Sequence, residues 1–207
     1  MTDKQKLLFG LGLLGLGVLL FMKRKELSGL ASAALDEVND AVFRLSLPSR
    51  AQPYADLIKR VSQETGMDPW IIAAIGQRES EWGAALNPPG PAGTGDYGHG
   101  HGLMQIDDKT WGSWLASHDW TSPYVNVRKG ADILSSNMDY FASRGLEGDE
   151  QVQAALAAYN HGPGNVWANI EAGLSPDTDT AGGDYASDVW ARFQSWAGGF
   201  AASLGLG

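Results

Sequence analysis

Glu79 is the side chain best placed for acid–base chemistry. It lies near the end of an apolar predicted helix, between Ile75 and Trp82. Burial disfavours the charged form of a carboxylate and raises its pKa. A carboxylic acid that stays protonated near neutral pH can donate a proton to a leaving oxygen. The alternative is a surface charge paired with Arg78 or with neighbours of Glu81, and for Glu79 taken alone we favour that alternative.

Three aspartates, Asp96, Asp107 and Asp108, flank a glycine-rich stretch at residues 87–102 and the GLMQI segment that follows it. A second carboxylate near a buried glutamate would complete the pair that glycoside hydrolysis uses. The alternative is turn and cap chemistry, because aspartate favours both turns and helix N-termini. For Asp108 we favour that second interpretation.

Two histidines, the phenol of Tyr159 and the amide of Asn160 are further candidates for functional side chains. His99 and His101 alternate along the chain, and alternating residues of an extended segment point to opposite faces, which is poor for shared ligation. We therefore predict no metal and no cofactor. The histidines line a cleft or satisfy loop backbone groups. Tyr159 and Asn160 could hydrogen-bond a sugar, although the His-Gly-Pro-Gly that follows them is also good helix-stop chemistry.

Helices are predicted to position most of these groups. No regular helix survives the glycines and prolines of residues 87–102, so that stretch is a long loop or a short β-ribbon. The fold class is therefore mainly α with a small β or glycine-rich region. Apolar periodicity predicts helices over Tyr54 to Thr65, Trp70 to about Ala84, Val127 to Arg144, Val152 to Tyr159 and Tyr185 to Ala197.

Composition narrows the class of protein. The chain has 207 residues, of which 43% are apolar, enough for one domain with a proper core. It has no cysteine, which excludes a disulfide scaffold, a thiolate metal site and a cysteine nucleophile. Residues 1–25 hold five basic groups and one acid, whereas the rest carries ten basic and 23 acidic groups. The net charge of −9 argues against nucleic acid as a partner.

The N-terminus is predicted to enter a membrane. Leu7 to Met22 is an unbroken apolar run with lysines on one side and Lys-Arg-Lys on the other. At about 1.5 Å per residue it falls slightly short of a bilayer core of about 30 Å, a gap that snorkelling lysines can cover. A cleaved signal peptide needs a small-residue site after the run, whereas this run ends in Lys-Arg-Lys-Glu, so an uncleaved anchor is predicted. Four glycines permit helix pairing within the bilayer.

Four regions are predicted in all. Residues 1–26 form the anchor, and residues 27–52 form a linker helix whose apolar positions recur every three or four residues. Residues 53–197 form the main domain. Residues 198–207 are glycine-rich and form a flexible tail.

Three blocks in this order resemble the goose-type lysozyme and soluble lytic transglycosylase superfamily. They are Glu79-Ser80, the GLMQI of Gly102 to Ile106, and the AYN of Ala158 to Asn160. The resemblance covers about Pro53 to Trp196. The goose-type branch is closest in detail, because GDYGHGHGLMQID, AYNHGPGNV and DYASDVWAR are similar to segments of that branch. The resemblance implies a two-lobed, lysozyme-like helical domain with a cleft between the lobes.

The resemblance also assigns roles. It implies that Glu79 is the general acid that protonates the glycosidic oxygen between N-acetylmuramic acid and N-acetylglucosamine. Asp96 and Asp107 match the two aspartates thought to position the attacking water. Ser80 matches a serine that supports the acid. The predicted substrate contacts are Gln105, Tyr159, Asn160 and, because loop histidines can line the cleft, His101.

The predicted activity is therefore that of a muramidase acting on peptidoglycan glycan strands. Inverting hydrolysis needs carboxyls about 6.5–9.5 Å apart with a water between them. Without such a water the substrate's C6 hydroxyl attacks, and the 1,6-anhydro product of a lytic transglycosylase results. A second alternative is an inactive wall-binding module, which would not need a buried acid. The predicted location is membrane-anchored, with the domain facing the cell wall or periplasm, in a cell or during phage lysis or entry.

Overall fold

The computed structural model describes residue 37 and residues 39–203. The predicted membrane segment Leu7 to Met22 lies outside these residues, so the anchor stays a prediction. Within the described part of the chain, no helix is long and apolar enough to cross a bilayer. Residues 39–46 are helical (α1), and the unit that carries the candidate site begins at Arg44.

Helices dominate this unit, and the predicted mainly α class with a small β region is confirmed. Short 3₁₀ turns occur at Gln52–Tyr54, Asp96–Gly98 and Ala181–Gly183. α5 packs against α6 and α2, and α3 packs against α8. The helices are α2 (Ala55–Thr65), α3 (Pro69–Ser80), α4 (Asp108–Ser117), α5 (Pro123–Ala142), α6 (Gly148–His161), α7 (Pro163–Glu171) and α8 (Tyr185–Ser203).

α3 is the buried helix that carries Glu79. It starts where the Asp68 side chain accepts a hydrogen bond from the Trp70 backbone N–H, with Pro69 in the first turn. Every residue from Trp70 to Gly76 is buried, which explains an apolar run without a polar face. A Cβ at Gly76 would lie 2.7 Å from the Trp82 ring. Glycine there lets Trp82 fold back onto the helix.

α3 ends four residues earlier than the sequence predicts. The predicted end was near Ala84, but the helix stops at Ser80. Glu81 and Trp82 adopt positive φ angles of 49° and 55°, a conformation that cannot continue a right-handed helix. Glu79 therefore lies in the last turn of α3, next to the chain reversal.

The glycine-rich stretch leads into a three-stranded antiparallel sheet, in the order β1 (Thr94–Gly95), β2 (Gly100–His101) and β3 (Ile106–Asp107). Gly95 pairs with Gly100, and Gly100 pairs with Asp107. With neighbouring strands about 4.8 Å apart, the Gly95 and Asp107 backbones lie about 10 Å from each other. Asp96 and Asp107 therefore lie at the same end of one small sheet.

The sheet is fastened to α5 by Asn126, which is fully buried. Its Oδ1 accepts from the Met104 backbone N–H at 2.8 Å, and its Nδ2 donates to the His101 carbonyl at 2.9 Å. A Cβ at Gly102 would lie 2.3 Å from Asn126 Nδ2. Glycine at this position lets the turn approach α5 closely.

The end of the chain differs from the predicted flexible tail. α8 was expected to stop at Ala197, with residues 198–207 loose, but it continues to Ser203. Residues 198–203 of the predicted tail are thus helical. Two glycines in this stretch lower helix propensity without ending the helix.

Candidate active site

The Glu79 carboxyl is half-buried at the end of α3. Desolvation by burial raises its pKa from 4.5 to about 7. Two effects oppose the rise: a hydrogen bond from the Tyr185 hydroxyl to Glu79 Oε1, and the positive charge of Arg78. Near neutral pH the carboxyl therefore holds its proton for part of the time.

Tyr185 is the first residue of α8 and is buried. Its ring stacks on that of Tyr159, with centroids 6.4 Å apart and an interplanar angle of 7°. The Tyr159 hydroxyl donates to the Met104 carbonyl at 2.9 Å. Burial, together with the charge of Glu79, raises the pKa of both phenols well above the usual range, so both remain protonated donors.

Arg78 fixes α8 beside Glu79. Its guanidinium forms ion pairs with Asp184 at 2.7 Å and Asp188 at 3.0 Å, and it donates to the Ala181 carbonyl at 2.9 Å. The alternative that Glu79 is a surface charge paired with Arg78 is therefore wrong: Arg78 binds the start of α8, which places Tyr185 against Glu79.

Ser80 connects the end of α3 to the GLMQI segment. It is 1% exposed. Its hydroxyl donates to the Leu103 carbonyl at 2.7 Å and accepts from the Gly83 backbone N–H at 3.0 Å. The residue after Glu79 thus holds the neighbouring loop in position through buried hydrogen bonds.

One cavity of about 260 Å³ brings together four of the predicted site residues, namely Gln105, Asp107, Tyr159 and Asn160. Both polar and apolar residues line it, a composition suited to a sugar with hydroxyl edges and apolar faces. Its other lining residues are Ile106, Thr110, Trp111, Ile133, Asn137, Ala158, His161, Gly162 and Pro163.

Gln105 has a left-handed backbone, with φ at 47°, and its Nε2 donates to the Gly102 carbonyl at 2.8 Å. Its Oε1 lies over the sheet so closely that a Cβ at Gly95 or Gly100 would come within 2.2 or 2.3 Å of it. The glycines of this segment therefore make room for the Gln105 amide.

Asp107 and Asn160 both line the cavity and both have structural partners. Asp107 Oδ2 caps α4 by accepting from the backbone N–H and hydroxyl of Thr110, at 2.9 and 2.8 Å. Asn160 Oδ1 accepts from the Ala181 backbone N–H at 2.8 Å. These bonds fix the side chains that face the cavity.

Four other predicted site residues, Glu79, Ser80, Asp96 and His101, are not among those that line this cavity. Asp96 is exposed at the start of the turn that follows β1, with φ at 46°. His101 packs edge-on against Trp120, with centroids 4.7 Å apart. The structure therefore groups four of the eight predicted site residues at the cavity, and it places Asp96 and His101 at the sheet and Glu79 and Ser80 at the end of α3.

The expectation that His99 and His101 point to opposite faces is wrong. His99 Nδ1 lies 2.9 Å from Asp108 Oδ1, and His101 Nε2 lies 3.7 Å from Asp108 Oδ2. His99 adopts a helical conformation at the end of the preceding turn, so the two histidines do not alternate on one strand. The hydrogen bond from His99 lowers the pKa of Asp108. In the residues that the structure describes, no group of three or more His, Asp or Glu side chains could hold a metal ion.

The sequence alone assigns no role to Tyr185, and it offers Arg78 only as an ion-pair partner of Glu79. DYASDVWAR was noted as similar to the goose-type branch, but its tyrosine was not connected with Glu79, which precedes it by more than a hundred residues. The signal available in the sequence was the position of Tyr185, at the start of a predicted helix and close to Asp184 and Asp188.

The sequence of the chain is similar to those of known proteins. A family model described as "Lysozyme g" matches residues 47–198. The chain is 36% identical over 148 residues to a lysozyme g of Struthio camelus, covering 68% of this chain and 64% of that protein. It is 36% identical over 160 residues to one of Epinephelus coioides, covering 70% and 75%. A membrane-bound lytic murein transglycosylase F of Cellvibrio japonicus is 30% identical over 135 residues, covering 64% and 25%. The match thus spans just under two thirds of the Struthio protein.

Proposed function

The chain belongs to the lysozyme g family, and from that premise we propose that it is a muramidase. It would cleave the β-1,4 bond between N-acetylmuramic acid and N-acetylglucosamine in peptidoglycan. The observation that carries the proposal is Glu79, a carboxyl with a pKa of about 7. Tyr185 links it to Tyr159, which lines the cavity.

Glu79 would act as the general acid. As the bond between C1 and the bridging oxygen breaks, that oxygen takes the Glu79 proton and leaves as a hydroxyl. A pKa near the working pH keeps the acid protonated in part while leaving it strong enough to donate. Ser80 would support the acid by holding the adjoining loop, and Gln105, Tyr159 and Asn160 would contact the sugar.

Asp96 and Asp107 would hold the water that attacks C1 from the opposite face, and the water's proton would pass to a carboxylate. The register of the sheet supports this pairing, because both aspartates lie at the same end of it. Asp107 also lines the cavity. His101 would support the site indirectly, by stabilising the sheet through its contacts with Asp108 and Trp120.

The alternative is a lytic transglycosylase, in which the C6 hydroxyl of the substrate attacks C1 instead of water. The similarity to the transglycosylase of Cellvibrio japonicus favours it. An inactive wall-binding module is a second alternative. The raised pKa of Glu79 speaks against it, because a binding surface gains nothing from burying an acid.

Product mass distinguishes hydrolysis from transglycosylation. We expect the wild type to release reducing ends heavier by one water than 1,6-anhydro ends. Asp107→Asn keeps a capping side chain for α4 but removes the carboxylate, so the share of anhydro ends should increase. Mass spectrometry of products from purified walls measures both.

Asp108→Asn is the matched control, because it removes the neighbouring carboxylate, which contacts His99. Its products should match those of the wild type. Anhydro ends alone from the wild type would refute hydrolysis and establish the transglycosylase.

We also propose that residues 7–22 hold the enzyme at a membrane with its domain facing the wall. The domain's acidic character supports a tether, because an anionic wall does not attract an acidic protein. Deleting residues 1–26 should reduce wall association in cells, measured by fractionation. Unchanged association would show that this segment has another purpose.

A further inference from the structure

Trp111 is an unusual residue of α4. No residue of that helix is buried, and the Trp111 backbone leaves helical geometry, with φ at −116° and ψ at 21°. Its indole nevertheless lines the cavity shared by Asp107 and Tyr159. A large aromatic group on a surface helix and against a polar cavity presents a flat apolar face to a ligand.

Lys129, on α5, lies over one face of this indole. Its Nζ lies 3.3 Å from the centroid of the Trp111 ring and 5.4 Å from that of Trp114. A cation over an indole face is attracted by the ring quadrupole. The contact orients Trp111, and it places a positive charge against a ring that lines the cavity, although Lys129 itself is not among the lining residues.

Among the described residues, the charge of Lys129 has no close counter-ion. The carboxylate of those residues that acts on it is Asp132, and it does so through its charge at longer range, without a hydrogen bond. The side chain is half-buried, and this desolvation lowers its pKa. In the described residues the ammonium is half-buried against two indole rings and pairs with no carboxylate, so an incoming anion would favour its charged form.

We propose that Trp111 and Lys129 together recognise an acidic sugar substituent: Trp111 stacks on the ring seated in the cavity, and Lys129 pairs with a carboxylate carried by that ring. This inference rests on the proposed function. In peptidoglycan such a carboxylate belongs to the lactyl group of muramic acid or to its peptide stem, whereas chitin, with the same ring skeleton, has none. The pair would therefore distinguish peptidoglycan from a neutral N-acetylglucosamine polymer.

Binding is measured on the full chain carrying Glu79→Gln, so that turnover does not interfere. The probes are a chitin oligosaccharide and a peptidoglycan fragment of equal ring number with its acidic stem, each titrated by calorimetry at low and high salt. Lys129→Gln should weaken binding of the acidic fragment about three- to tenfold at low salt. Chitin binding should not change, and the difference should shrink in high salt.

Lys109→Gln is the matched control: it removes one positive charge from an exposed residue of α4 and should alter neither ligand. Trp111→Ala should weaken both ligands, and Trp114→Ala, outside the cavity lining, neither. Equal weakening of both ligands by Lys129→Gln, or no weakening, would overturn the proposal. Failure of the wild type to cleave walls would refute the proposed function while leaving this binding result readable on its own.

Discussion

Replacing Glu79 with glutamine is expected to lower the rate of wall clearing by about 10²- to 10⁴-fold, the usual contribution of a general acid. Glutamine keeps the shape of the side chain and an oxygen that accepts from Tyr185, but it has no proton to give to the leaving oxygen. Turbidity of purified walls measures the rate. Equal clearing by the variant and the wild type would remove Glu79 from the proposed role.

Measuring the folding stability of Glu79→Gln tests whether its loss of clearing activity comes from unfolding. A carboxyl whose pKa rises from 4.5 to about 7 on folding binds more protons in the native state between those pH values. Its contribution to folding is thus present at low pH and lost as the pH rises through 7. Glutamine does not ionise, so Glu79→Gln does not lose this stability as the pH rises. The variant should equal the wild type near pH 4 and exceed it by up to about 3 kcal/mol near pH 8 in denaturant titrations.

Local sequence patterns were enough to place Glu79 near the end of an apolar helix. Asp68-Pro69 and an apolar run predict α3 with a start within one residue of the observed one, because capping and burial act within a few residues. Its end was placed too late, because left-handed φ angles at Glu81 and Trp82 follow from the packing of Trp82 against Gly76. That contact is tertiary, and no propensity of Glu or Trp signals it.

The electrostatic partners could not be found in the same way. Arg78 and Glu79 are adjacent in the chain, yet Arg78 pairs with Asp184 and Asp188, and Glu79 accepts from Tyr185. The choice of partner depends on how α8 lies across α3. Spacing within one segment carries no information about that crossing.

The sheet region shows a third reason why the sequence alone did not predict the site. Strand alternation predicted divergent histidines, but His99 lies on a turn, and its conformation brings it to Asp108. Conversely, the glycines were noted only as helix breakers, whereas Gly95 and Gly100 make room for the Gln105 amide. The glycine and proline content of residues 87–102 was enough to predict a loop. The contacts with Gln105 explain why Gly95 and Gly100 must be glycine.

Removing the Tyr185 hydroxyl should move the alkaline limb of activity to higher pH. The hydrogen bond from Tyr185 favours the charged form of Glu79 and so lowers its pKa, opposing burial. In Tyr185→Phe a half-buried carboxylate loses that donor, a loss of about 1–3 kcal/mol for the ionised form. This corresponds to a rise of about one to two pKa units above 7. The pH dependence of clearing rate measures the shift.

Tyr159→Phe is the matched control for this shift. Tyr159 stacks on Tyr185, but its hydroxyl donates to the Met104 carbonyl and not to Glu79. It should therefore leave the position of the alkaline limb near 7, whatever it does to sugar binding. A limb that stays in place in Tyr185→Phe, or moves to lower pH, would mean that the phenol does not control when Glu79 releases its proton. A limb that moves upward only in Tyr185→Phe identifies Glu79 as the group that titrates, because no other carboxyl accepts that hydrogen bond in the described residues.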